Sequence, residues 1–129
     1  MTLEEYIKVH KTDKLKSESF CDYLFSLMNK HKIDKPSELY KKAFISRQLF
    51  SAIISNKSTP SINVCIKLAL ALKLTNRECK YLLKKAGFTL ASSSNYSLII
   101  RYALDNSIYD IDKVNDMLIL YGYSDSLLK

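Results

Sequence analysis

The chain has 129 residues, of which 47% are apolar, with only two glycines and two prolines and a formal net charge of +7. That apolar share excludes a disordered chain, the length suits one domain with a real core, and the scarcity of turn residues argues against a many-stranded sheet. No run approaches the roughly 18 apolar residues a membrane span needs. The opening MTLEEYIK lacks the character of a secretion signal, so a cytoplasmic, all-α protein with no membrane partner is expected.

In chain order, Thr2 with Glu5 makes a capping-box pattern that predicts a helix over 3–11, followed by the polar KTDKLKSES as a bend. Phe20, Leu24, Leu27 and Met28 form one stripe at helical period, predicting a helix over 18–31 that KIDKP closes. Pro36 suits the first turn of a helix over 36–43, with Leu39 and Ala43 inward. After a tight turn at Ile45 and Ser46, Ser46 caps a helix over 46–55 that turns Phe50, Ile53 and Ile54 inward. NKSTPS is a loop. Ser61 then caps a helix over 61–73 that buries Val64, Ile66, Leu68, Ala71 and Leu72. Thr75 with Glu78 is a second capping box, opening a helix over 76–86 that Gly87 ends. Beyond the TLASSS loop, helices are expected over 95–106 and 111–121, the latter capped by Asp110 and ended by Gly122.

Charge is uneven along this array. Residues 1–89 hold 17 Lys/Arg against 8 Asp/Glu, residues 90–129 hold 3 against 5, and the stretch 41–57 carries Lys41, Lys42, Arg47 and Lys57 with no acid. A basic first part with a mildly acidic end points to a polyanionic partner, against the plainer reading of a solvated lysine surface. The helix pair 36–43 and 46–55 has the spacing of a helix-turn-helix, whose second helix enters the major groove of DNA. Leu39, Ala43, Ile45, Phe50 and Ile53 would lock the pair together. That leaves an outer face on which Arg47 and Gln48 would read bases, helped by the small Ser51 and Ala52. Ser37, Lys41, Ser46, Asn56 and Lys57 would hold phosphates, and the side chains and backbone N–H groups of 56–58 would meet the DNA backbone.

The stretch KPSELYKKAFISRQLFSAIISNKSTPSINVCIKLALALKLTNRECKYLL, residues 35–83, resembles the phage-repressor-type (Cro/repressor, XRE) helix-turn-helix domain. The likeness rests on SEL in the first helix of the pair, a Ser-led second helix, NKSTPS before the next helix, and IKLALALKLT with an acid soon after. It implies a five-helix lambda-repressor-like core over 18–88, preceded by an N-terminal helix or arm over 1–17 and followed by a two-helix extension over 90–129. It also implies operator DNA as partner, a homodimer, and no metal or cofactor. The chain departs from the family pattern at Tyr40, where a small residue is usual, and at Phe44, where glycine is usual. Tyr40 is expected to crowd the helix crossing. Phe44 is expected to avoid positive φ, which would remodel the turn or open the interhelical angle. Nearly the whole chain is also similar to a bacterial helical module found alone or fused behind macro domains. That similarity keeps a second expectation in view: a non-enzymatic adaptor binding a protein partner in signalling or defence, through Leu49, Phe44 and Tyr40. The extension would supply a dimer surface or cover the helical core.

Other features carry less. Asp105, Asp110, Asp112 and Asp116 lack the glycine-containing turn of a calcium loop and read better as helix-terminal and solvated acids. Cys21, Cys65 and Cys79 stand at apolar helix positions, and neither His10 nor His31 has a ligand partner at metal spacing, so no zinc site and no catalytic residue is expected. Nine tyrosines are scattered as rim-of-core residues, not strung along a strand-binding track. Lys73, Arg77, Lys80, Lys84 and Lys85 form a second basic cluster that extends a phosphate track or is a solvated face.

Overall fold

The computed structural model describes residues 1–11, 18–91, 93–124 and 128, and every regular element among them is an α-helix. The helices are α1 Leu3–Lys11, α2 Phe20–Lys30, α3 Pro36–Lys42, α4 Arg47–Ile54, α5 Ile62–Ala71, α6 Asn76–Lys85, α7 Asn95–Asp105 and α8 Ile111–Leu120. Each expected helix is present, with ends displaced by a residue or two because the capping residues themselves hold extended backbone (ψ 164° at Ser19, 151° at Ser46, 166° at Ser61). The bend expected over KTDKLKSES lies, at residues 12–17, outside the described residues.

Helix starts follow from local chemistry. Ser19, Ser46, Ser61, Thr75 and Ser94 each accept a hydrogen bond from the N–H three residues on, and Asp110 accepts from the N–H groups of Asp112 and Lys113. Both capping boxes form: Glu5 with Thr2, and Glu78 with Thr75. Helix ends share one device. After α2 to α8 a residue at positive φ turns the chain, and the following N–H reaches back to the carbonyl five positions earlier. Ile45 N–H to the Tyr40 carbonyl at 2.9 Å, Leu74 to Ala69 at 3.0 Å and Phe88 to Leu83 at 2.8 Å are examples. Glycine takes the turning position only at Gly87 and Gly122. Lys32, Phe44, Asn56, Lys73 and Ser107 adopt it at the other ends, with φ between 53° and 60°.

α5 is the axis of the molecule. It is buried on nearly every side from Val64 to Leu70 and packs against α3 and α6. Lys67 is its one ionisable lysine, and burial pulls the ammonium below its ordinary pKa. α6 packs in turn against α2 and α7, and α7 against α8. The buried apolar side chains make one continuous cluster running from Phe20 to Leu128. The extension therefore covers the core: Ile100, Ala103, Val114 and Leu118 are at most 1% exposed, and Leu128 is sealed with its N–H on the Asn115 side-chain oxygen at 3.1 Å.

Two polar ties hold the layers in register. Glu78 sits buried at the foot of α6, where its carboxylate accepts from the Thr75 N–H at 3.1 Å and from Lys30 Nζ at 3.0 Å, and lies 3.3 Å from His31 Nε2. The second tie joins the extension to α5. Tyr96 donates its hydroxyl to Asn63 Oδ1 at 3.3 Å, and its N–H, in the first turn of α7, donates to the Tyr123 hydroxyl at 3.0 Å. No helix among the described residues is long and apolar enough to cross a membrane.

Candidate nucleic-acid interface

α3 and α4 are locked by the residues expected to do so. Leu39, Ala43, Ile45, Phe50 and Ile53 are at most 5% exposed. The expectation for the turn is corrected: Phe44 takes positive φ, at 53°, without remodelling the helix end. Its N–H donates to the Lys41 carbonyl at 3.2 Å while Ile45 N–H donates to Tyr40, so two otherwise orphaned carbonyls and the burial of Ile45 offset the backbone strain. The Phe44 ring is left 63% exposed. Tyr40 does not stand clear of the crossing. Its ring meets that of Phe50 with centroids 5.7 Å apart at 45°, a tilted aromatic contact half-buried at the crossing.

This packing turns one side of α4 outward. Arg47, Gln48 and Ser51 are exposed and Ala52 is half-buried. Together with Ser55 and Lys57 they line a shallow concavity of about 510 Å³ with no acid among its described lining residues. Ser51 and Ala52 are small members of its lining, and longer side chains there would fill it. The Ser55 hydroxyl donates back to the Ser51 carbonyl at 2.8 Å, which keeps the last turn compact. Ser55 shares the outer face by helical register with Gln48 and Ser51, as the sequence predicts, and completes the lining.

The expected phosphate-holding residues are placed less uniformly. Lys57 lines the concavity, whereas Ser37, Lys41, Ser46 and Asn56 do not. Ser46 is exposed beside Arg47 and accepts from Leu49 N–H at 3.1 Å, leaving its hydroxyl proton to donate outward. Asn56 is exposed at positive φ, and the Cys21 thiol, 3.2 Å from the Ile53 carbonyl and 3.4 Å from the Asn56 side-chain oxygen, ties the end of α4 to α2. Lys41 is exposed on the last turn of α3, and Ser37 is half-buried in its first turn. The backbone N–H groups of 56–58 do not serve as expected. All three donate within the helix end, to the carbonyls of Ile53 and Ala52, so the side chains alone are presented there.

Comparison with protein-family models, curated proteins and solved structures finds no match. The reading of this surface therefore rests on its own residues.

Outside α4 the chemistry is quiet, with one exception. Burial pushes the Cys65 and Cys79 thiols up to about 12 and raises that of Cys21, which leaves all three protonated at neutral pH. Asp110 is consumed in capping α8, and Asp105 accepts from the Asn76 amide. Among the described residues no three His, Cys, Asp or Glu side chains converge as a metal-binding group. The exception is a deeper groove between α6 and α7, described below. The second basic cluster feeds it in part: Arg77, Lys80 and Lys84 line the groove, whereas Lys73 lies over the Tyr109 ring at 6.0 Å. Arg101, which joins them from α7, carries no local signal linking it to α6.

Proposed function

We propose that the chain binds double-stranded DNA sequence-specifically and acts as a transcriptional regulator. In this reading α2 to α6 serve as a repressor-like helix-turn-helix core with α4 as recognition helix. The observation that carries the reading is the outward face of α4. Two long hydrogen-bonding side chains, Arg47 and Gln48, line a concavity with small residues and with no acid among its described lining. Arg pairs two-pronged with guanine and Gln with adenine, each good pair being worth about 1–3 kcal/mol of discrimination. The small Ser51 and Ala52 let the helix axis approach the base edges. Lys41, Ser46, Asn56 and Lys57 flank that face and meet phosphates, with Ser37 one helix turn behind. A homodimer would place two such helices on one face of the duplex.

Selection from random duplexes tests this directly. Wild type enriches a motif, and binding weakens steeply with salt, with a log–log slope near −0.9 per neutralised phosphate. Arg47→Ala with Gln48→Ala loses the motif but keeps weak, salt-sensitive binding. A wild-type pool without any enriched motif defeats the proposal.

The exposure of Phe44 favours one second reading, a protein-binding adaptor. A large ring 63% exposed beside half-buried Tyr40 and Leu49 is an apolar anchor of the kind protein partners cover. Under that reading Phe44→Ser abolishes partner capture while Arg47→Ala is tolerated.

A further inference from the structure

The groove between α6 and α7 has a chemistry of its own. It encloses about 660 Å³, within the range of about 300–1,000 Å³ that holds drug-sized ligands. Its walls are apolar, with Leu83 from α6 and Phe88 and Leu90 from the following loop. Its rim carries four cations: Arg77, Lys80 and Lys84 on α6 and Arg101 on α7. None of the described residues lining it is acidic. Glu78, on the same helix, is engaged on the far side by Lys30 and His31. The groove is also braced. Asn76 donates to the Arg101 carbonyl at 3.1 Å, which holds the two helix ends together, and Ser97 donates to the Ala91 carbonyl, which pins the loop.

The trough is apolar while the four rim cations are exposed, so one groove presents two different chemistries side by side. A duplex would satisfy the charges but has no use for the trough, and a neutral apolar molecule would fill the trough but ignore the rim. We propose that this groove binds a small amphiphilic anion: an acyl or aryl body seated on Leu83, Phe88 and Leu90, with a single carboxylate or phosphate head paired to Arg77 and Arg101. The arginine fork matches either oxyanion two-pronged. The inference stands apart from the duplex reading, since the two concavities share no residue.

The test uses the full chain and a matched pair of fluorescent probes, 8-anilinonaphthalene-1-sulfonate and its uncharged analogue N-phenyl-1-naphthylamine. The sulfonate binds at one site per chain and about tenfold or more tighter than the analogue, and decanoate and decyl phosphate displace it. Which of those two competes better identifies the preferred head group. Arg77→Glu with Arg101→Glu weakens the sulfonate at least about tenfold, the value expected for losing one charge-assisted contact, with the helical circular dichroism unchanged. Thr89→Trp, on the exposed rim, narrows the groove and weakens both probes without altering charge. Arg47→Glu leaves the sulfonate affinity as it was. Equal binding of the two probes, or indifference to both the charge reversal and Thr89→Trp, overturns the proposal. So does stoichiometric displacement of the sulfonate by a short random duplex, which would assign the rim to DNA phosphates.

Discussion

Glu78 shows how one residue serves two levels of structure. As the third helical residue of α6 it completes a capping box with Thr75, a role that Glu or Gln can fill. As a buried carboxylate it also draws Lys30 and His31 of the α2 end onto α6. Burial alone would raise its pKa, but the Thr75 N–H, Lys30 and His31 outweigh it and hold the carboxyl below the ordinary value. A carboxyl depressed in the folded state adds stability that is present above the unfolded pKa, about 4.3, and is lost as pH falls through the folded value. Glu78→Gln keeps the cap but loses the charge. It is expected to cost about 1 kcal/mol at pH 7, given that Lys30 is itself largely in water, and to flatten the fall in stability below about pH 5. Urea unfolding midpoints from pH 3 to 7 check this. Parallel curves for the two proteins would show that Glu78 is not a source of the acid sensitivity. The capping role is legible in the T-x-x-E spacing, whereas the clamp on α2 is not, because Lys30 and Glu78 are 48 residues apart.

The α3–α4 turn is the place where local propensity and element geometry disagree. A non-glycine residue in the left-handed region costs about 1–2 kcal/mol, so local propensity predicts that Phe44 avoids it. The helix end wins. The turning position aligns two N–H donors with two orphan carbonyls and drives Ile45 into the core, and the same trade is made after α2, α4, α5 and α7 with Lys32, Asn56, Lys73 and Ser107. Phe44→Gly relieves the strain while giving up an exposed ring. The gain is expected to be about 0.5–1 kcal/mol after the extra unfolded-state entropy of glycine is counted, raising the melting temperature by a few degrees. Thermal unfolding measures it, and a lower melting temperature would mean that the Phe44 ring contributes packing its exposure does not reveal. The variant also separates the two functional readings, since it spares the face of α4 and removes the apolar anchor.

At the scale of the molecule, the extension and α5 behave as one body because their contact is polar as well as apolar. Tyr123 satisfies an N–H in the first turn of α7, while Tyr96 reaches across to Asn63 on α5. Tyr123→Phe leaves that N–H without the Tyr123 oxygen and is expected to cost about 1 kcal/mol. Because one apolar cluster links Phe20 to Leu128, the loss should shift a single cooperative transition, without releasing α7 and α8 first. Far-ultraviolet circular dichroism and tyrosine fluorescence followed through the same melt decide it: non-coincident transitions would show the extension unfolding on its own.

The sequence by itself determined the number and order of the described helices and the caps that start them. It also determined the stripe each helix turns inward and the acid-free run that α4 presents. All of these depend on residues three or four apart, where spacing is geometry. Tertiary structure alone decided the rest. It decided that Phe44 turns left-handed, that the Tyr40 ring tilts against Phe50, that Glu78 clamps α2 and that Arg101 joins the α6 cations over an apolar trough. Each of these brings together groups whose separation along the chain says nothing about their distance in space, or trades a local cost against burial made possible only by the packed helices.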